Sequence, residues 1–264
     1  MAENAEVDNM RILIVSDIHY AGDASYASAS PGIATCDGKK HLEEVLQKHK
    51  GSGIDLLAIL GDSTDRQEGI DAIRDLEEIS AVVKTFPATA IFVRGNHDIA
   101  AEKFFSITCS PDYLVVKNYL FFPFHDDFDA SGHCVRPAGE WSRFDSAVRS
   151  NGEKKIVALQ HHVVLPPIDD PYPYNIDRAD EVAARYRKAN VLLSISGHFH
   201  AGSPVVFDGD TAYATAPSLS ELPFRYIIMD LEPGIRFDVC SLQQSSQEIQ
   251  PGIARRNIQR RQDK

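Results

Sequence analysis

Val191-Leu192-Leu193-Ser194-Ile195-Ser196-Gly197-His198-Phe199-His200 reads as a buried strand that runs out into two imidazoles one residue apart. Alternation along a strand puts His198 and His200 on one side of the chain, just past a glycine that permits a sharp turn. Two neutral imidazoles so placed are a ready pair of metal ligands. Alone the pair says little, since a strand can end in histidine for no chemical reason. Other apolar runs in this chain end the same way. Ile12–Val15 leads to Asp17-Ile18-His19, and Leu56–Leu60 to Gly61-Asp62-Ser63-Thr64-Asp65. Ala90–Val93 leads to Gly95-Asn96-His97-Asp98, and Ile156–Leu159 to His161-His162. Carboxyl ends of strands are where open α/β sheets build their sites.

Between these endings the pattern alternates strand and helix. Arg11–Val15, Asp55–Leu60 and Thr89–Val93 read as strands buried on both faces, with helices over Lys39–Lys50 and Gln67–Phe86. Such a series predicts parallel pairing with right-handed crossovers. Tyr20–Gly38 is an irregular loop near the strand ends. Asp112–Lys117 and Tyr119–Phe124 form a hairpin about Asn118, and the acidic stretch His125–Pro137 reads as a solvated loop. A short helix over Glu140–Arg149 and a strand over Lys155–Gln160 follow. Pro166, Pro167, Pro171 and Pro173 stiffen the next loop, where Tyr172 and Tyr174 serve either to pack it or to stack on a base. Asp177 caps a helix to Ala189. Pro204–Phe207, Thr211–Thr215, Arg225–Leu231 and Arg236–Leu242 read as antiparallel strands. His41 and His49 are expected on an exposed helix face, and Gly61, Gly95 and Gly197 as turn residues.

Composition bounds the function. A chain of 264 residues, 43% hydrophobic and 25% charged, can bury a full core, and one domain over 11–242 is expected. Residues 1–10 read as a disordered lead-in with no apolar core for a signal peptide, and 243–264 as a solvated polar and basic tail. A formal charge of −11 argues against a broad basic face for DNA or for an anionic membrane. No run approaches the roughly 18 apolar residues of a membrane span. Cys36, Cys109, Cys134 and Cys240 form no Cys-x-x-Cys, which implies reduced thiols and a cytoplasmic location.

Asp17, His19, Asp62, Asn96, His161, His198 and His200 together offer oxygen and nitrogen donors of intermediate hardness. Such a set suits Mn, Fe, Co or Zn better than Ca. Seven ligands are too many for one ion and enough for two if a carboxylate is shared. A metal pair clamps a phosphoryl group and acidifies a water between its members. That leaves His97 as general acid on the leaving oxygen.

Asp-x-His, Gly-Asp-x-x-Asp, Gly-Asn-His-Asp, His-His and Gly-His-x-His, in this order over residues 17–200, resemble the motifs of the calcineurin-like metallophosphoesterase family. The resemblance implies an α/β fold: a four-layer α/β/β/α sandwich with two central mixed sheets. It also implies Asp17, His19 and His200 on a first metal, Asn96, His161 and His198 on a second, and Asp62 between them. His97 would contact phosphate with Asp98 orienting it, and Asp65 would hold ligands or nearby backbone from behind. Members with His-His often continue directly with Pro-Pro; here Val163-Val164-Leu165 intervene, so His162 stands beside His161 as the alternative ligand.

The expected function is hydrolysis of a small phosphodiester, a cyclic nucleotide or similar, with two divalent or trivalent metal ions as cofactors. The alternatives are a phosphomonoesterase or protein phosphatase, and a non-catalytic scaffold on the same fold. Expected partners are the small phosphoester alone, without membrane or nucleic acid, with a homodimer left open.

Overall fold

Alternation within the apolar runs sorts the core. In the first strand Ile12 and Ile14 join one buried cluster while Leu13 and Val15 join another, and the second strand divides Leu56, Ala58 and Leu60 from Leu57 and Ile59 in the same way. Strands buried on both faces need cover on both sides. The computed structural model, which describes residues 9–243 apart from 130 and 132, supplies it.

The chain runs β1 (Arg11–Val15), α1 (Gly38–His49), β2 (Leu56–Leu60), α2 (Ile70–Lys84), β3 (Thr89–Val93), α3 (Ala101–Thr108), β4 (Leu114–Val116) and β5 (Tyr119–Pro123). It continues through β6 (Asp127–Phe128), β7 (Cys134–Val135), α4 (Ala138–Ser150), β8 (Lys155–Leu159), α5 (Ala179–Lys188) and β9 (Val191–Ser196). The last strands are β10 (Ser203–Asp208), β11 (Thr211–Thr215), β12 (Arg225–Asp230) and β13 (Arg236–Ser241).

One mixed sheet has the order β13-β12-β1-β2-β3 and the other β10-β11-β9-β8-β5-β4. Side chains of both sheets, among them Ile14, Leu60, Val93, Phe121, Leu159 and Ile195, meet in the cluster between them. Leu42, Val45, Leu76, Ile79 and Phe104 of α1, α2 and α3 cover the outer face of the first sheet. Phe144, Ala147, Val182 and Tyr186 of α4 and α5 cover the second. The layers are α/β/β/α, as the family resemblance implied.

β1, β2 and β3 pair in parallel, as expected for the opening series. The last four strands divide between the sheets, and β11 pairs with β9 in parallel instead of completing an antiparallel meander. Helix α3 was not anticipated, because eight residues give too short a stripe for periodicity to register. Asn9 and Met10, expected within the lead-in over 1–10, belong to the folded domain. Met10 is wholly buried among the inter-sheet side chains, and residues 1–8, like the tail from 244 onward, lie outside the described residues.

Three further expectations give way to tertiary contacts. His41 is buried against Phe224, ring centroids 3.9 Å apart, and His49 is half-buried, its Nε2 within 3.0 Å of the Tyr226 hydroxyl. Arg178, in the left-handed conformation, holds the N-cap position of α5 in place of Asp177. The acidic stretch 125–137 is only partly solvated. Asp129 and His133 are exposed, but Asp126 and Arg136 form a buried pair at 2.7 and 2.8 Å, and Arg136 also donates to the Tyr186 hydroxyl at 2.7 Å. Burial is tolerable because every guanidinium and carboxylate edge finds a partner. No helix among the described residues is long and apolar enough to cross a membrane, and the four cysteines are free thiols.

Candidate metal centre

The carboxyl ends of β1, β2, β3, β8 and β9 lie side by side, and there the chain turns sharply. Asp17, His19, Asp62 and His198 all have positive φ, at 53°, 47°, 48° and 67°. Left-handed backbone costs a residue with a Cβ roughly 1–2 kcal/mol and persists only where its surroundings hold it. Here neighbouring strand ends do so: Asp17 N donates to Gly61 O at 3.1 Å, His19 N to Asp62 O at 2.8 Å, and Gly197 N to His161 O at 2.9 Å. The glycines do more than turn. A Cβ on Gly61 would sit 2.2 Å from His161 Nδ1, one on Gly95 2.1 Å from Asp62 Oδ1, and one on Gly197 1.9 Å from Ser16 Oγ. They let the strand ends approach closely enough for their side chains to converge.

The expected residues do converge, in two groups. In the first, His200 Nε2 lies 3.2 Å from His19 Nε2 and 3.5 Å from Asp17 Oδ1. In the second, His161 Nε2 lies 3.1 Å from Asn96 Oδ1 and 3.2 Å from Asp62 Oδ2. Asp62 Oδ2 is also 3.6 Å from His19 Nε2, which places that carboxylate between the groups. Asp17, Asp62, His161 and His198 each offer one ligand atom within 4.8 Å of the others, and Asp17, His19 and His200 do likewise. His161 is thus the histidine that faces Asn96 and Asp62. His162 also falls within 4.8 Å of His161 and His198, but its ring stacks between Phe128, at 5.2 Å, and His198, at 3.8 Å.

Three of the imidazoles are held from behind by their other nitrogen. His19 Nδ1 meets Asp65 Oδ1 at 2.7 Å, His200 Nδ1 meets Glu221 Oε1 at 2.7 Å, and His161 Nδ1 donates to Leu60 O at 2.7 Å. Fixing Nδ1 this way leaves Nε2 as the donor aimed inward. Glu221 escaped sequence reading, since it follows β11 in no motif and no periodicity marks it.

Asp98 departs from its expected place. One of its oxygens accepts from Thr64 N at 3.0 Å and the other from Gly95 N at 2.8 Å, so it ties two strand ends together. The carboxylate that reaches His97 is that of Asp65, 3.3 Å from His97 Nδ1. Adjacency in sequence suggested Asp98; the turn after β3 sends the neighbouring side chains to different partners.

Electrostatics fit the residues to cations. Burial works against the charge of Asp17 and Asp62, yet His200 holds Asp17 below the ordinary carboxylate range and His161 holds Asp62 well below it. Burial likewise opposes protonation of His161 and His200, but Asp62 raises the first to about 9, and Asp17 with Glu221 raises the second to about 10. The cluster is therefore short of positive charge. His198 goes the other way, kept neutral by burial and by His162 and His161 beside it. Its Nε2, like Asp17 Oδ1, is buried with no hydrogen-bond partner. Buried orphan donors and acceptors are rare, and bound metal ions would satisfy both atoms.

A family model described as calcineurin-like phosphoesterase matches residues 10–202. Among solved structures, a dimetal phosphatase from Danio rerio superposes with a TM-score of 0.71 at 12% identity, covering 88% of this chain and 96% of that one. The protein TT1561 of Thermus thermophilus gives 0.64 at 14% identity, covering 89% and 99%. The purple acid phosphatase PPD1 of yellow lupin, Lupinus luteus, gives 0.58 at 10% identity, covering 88% of this chain and 51% of that longer one. At such identities the superpositions speak for the fold. None of the curated proteins compared with the chain matches it.

Proposed function

Because the chain belongs to the calcineurin-like phosphoesterase family, we propose that it hydrolyses a phosphodiester at the centre just described. The observation that carries the reading is the convergence of Asp17 Oδ1, Asp62 Oδ2, Asn96 Oδ1 and the histidine Nε2 atoms in two adjoining groups where Asp17 Oδ1 and His198 Nε2 have no hydrogen-bond partner. Asp17, His19 and His200 would hold one metal ion, Asn96, His161 and His198 a second, with Asp62 shared. Two ions so held supply positive charge for the phosphoryl oxygens and acidify water at neutral pH.

The chain's own residues then do the rest. Water oxygen bonds to phosphorus, one ester P–O bond breaks, and the leaving oxygen must gain a proton. His97 is placed to give it: its backbone N donates to Asp62 Oδ1 at 2.8 Å, and Asp65 engages Nδ1, so Nε2 is free to serve the substrate. Although burial opposes its charge, Asp65 and Asp62 raise His97 to about 9, which keeps it protonated at neutral pH. Asp65 thereby orients both a ligand and the acid.

A diester is favoured over a monoester by charge. The site gathers Asp17, Asp62, Asp65, Asp98 and Glu221, and among the described residues no Lys or Arg pairs with any of them. A monoester dianion asks for more positive charge than a diester monoanion does. The test is hydrolysis of bis-p-nitrophenyl phosphate against p-nitrophenyl phosphate by metal-stripped protein given Mn, Fe, Co or Zn, alongside Asn96→Ala and His97→Ala. Metal-dependent diester turnover lost in both variants is expected. A preference for the monoester would overturn the substrate class while sparing the ligand set.

A further inference from the structure

The loop after His161-His162 is built to hold its shape. Besides its four prolines, Asn175 stitches it internally: Oδ1 accepts from Ile168 N at 2.8 Å, and Nδ2 donates to Pro166 O at 3.1 Å and Val163 O at 3.2 Å. Val163 N donates to Tyr174 O at 3.0 Å, and Ile176 N returns to Val163 O at 3.0 Å. This braced segment presents two rings to the metal centre. Tyr174, half-buried, packs 5.0 Å from Phe199 and 5.5 Å from His198. Tyr172 packs 5.0 Å from Tyr174 and 5.5 Å from His198, and its hydroxyl lies beside the Asn96 side chain.

Tyr172 is nonetheless 40% exposed. Packing the loop explains Tyr174 but not an exposed aromatic ring beside His198, a candidate ligand of the centre. On the other flank, next to the Glu221 that steadies His200, Leu222 is 68% exposed. The borders of the centre thus carry apolar surface where the interior carries acids. A rigid tyrosine loses little freedom on contact, and stacking on its face tolerates any flat ring.

We propose that Tyr172 is a stacking platform for the flat ring of an ester group, so that the site takes aryl or nucleoside phosphodiesters ahead of glycerol or alkyl ones. This rests on the phosphoesterase reading above and adds the class of ester. Contacts with the Tyr174 and His198 rings fix the ring's position, and its exposed part does the recognising. Loss of one such stack lowers binding by roughly 5- to 150-fold.

The experiment uses the metal-loaded protein, Tyr172→Ala and Tyr172→Phe. Turnover is measured on bis-p-nitrophenyl phosphate, 3′,5′-cyclic AMP and glycerophosphocholine, and binding of AMP against glycerol 3-phosphate by calorimetry. In the wild type, the ring-bearing ligands should be preferred in both assays. Tyr172→Ala should raise KM on ring-bearing diesters and weaken AMP binding within the stated range, with glycerol-type ligands changed less than twofold. Tyr172→Phe keeps the ring and should keep the preference. Equal losses on all substrates in Tyr172→Ala would mean that Tyr172 acts on Asn96 alone, and no change would mean that substrate never meets it; either overturns the platform. Preferential AMP binding without turnover of any diester would sustain the platform and overturn the phosphoesterase reading instead. If only the aryl diester gains from the ring, the natural ester is an aryl and not a nucleoside one.

Discussion

Replacing Gly95 with alanine should disable the centre while leaving the fold. Gly95 does not have positive φ, so the substitution costs nothing in backbone conformation; the whole cost is space. The new Cβ would stand 2.1 Å from Asp62 Oδ1 and 2.4 Å from Asp62 N, against 3.4 Å for ordinary contact. Asp62 must therefore recede by 3.4 − 2.1 = 1.3 Å along that line. Because a backbone nitrogen is also in the way, rotating the side chain alone does not relieve it. Overpacking of this sort costs about 1–3 kcal/mol, less than the 5–15 kcal/mol by which folded domains are usually stable. Asp62 lies between the two ligand groups, so its displacement touches both. A misplacement of about 1 Å costs on the order of 100-fold in rate, and a disturbed ligand environment about 10- to 100-fold in metal affinity. The assay is calorimetric titration of metal into stripped protein, followed by bis-p-nitrophenyl phosphate kinetics at saturating metal. Gly152→Ala, whose Cβ would come no nearer than 3.9 Å to Val148 O, is the matched control. Folded Gly95→Ala with wild-type affinity and turnover would refute the claim that close approach at Gly95 positions Asp62.

Asp65→Asn should weaken metal binding by about 10- to 100-fold, since the carboxylate steadies His19. It should also move the alkaline limb of kcat/KM. A raised histidine keeps its proton below its folded value and loses it as pH rises through that value, about 9 for His97. Bound cations can only lower that value, so the limb should fall at or below about pH 9 in wild type and lower still in the variant; an unmoved limb would remove Asp65 from this role. Arg136→Met strands the buried Asp126 carboxylate and should cost about 3–5 kcal/mol in denaturant unfolding, with Arg136→Met/Asp126→Leu recovering part of it. A loss under about 1 kcal/mol would show the pair to be dispensable. His41 has its pKa lowered by burial, so its contribution to stability is complete above the unfolded value near 6.5 and is lost as pH falls below it. His41→Phe should flatten the decline of the urea midpoint between pH 7.5 and 5; an unchanged slope would place that decline elsewhere.

The buried strands and the candidate ligands were legible in the chain because both are written locally, while the layer architecture came from the family resemblance that the motifs carry. A strand buried on both faces is a short apolar run, and a residue at its carboxyl end is two or three positions beyond it. Asp17, His19, Asp62, Asn96, His161, His198 and His200 could be picked out from spacing without knowing how the sheets sit. What spacing does not carry is which distant groups meet. Asp65 rather than Asp98 reaches His97; Glu221 holds His200 from beyond β11; Asp126 and Arg136 vanish into a pair inside what reads as a solvated loop. What turns His161 rather than His162 toward Asn96 and Asp62 is packing between the sheets, where Leu60 O at the end of β2 meets His161 Nδ1. Periodicity records which side of an element is apolar. Partners drawn from other parts of the chain depend on register between strands, on left-handed turns at four candidate ligand positions, and on glycines that make room, and those exist only once the sheets have packed.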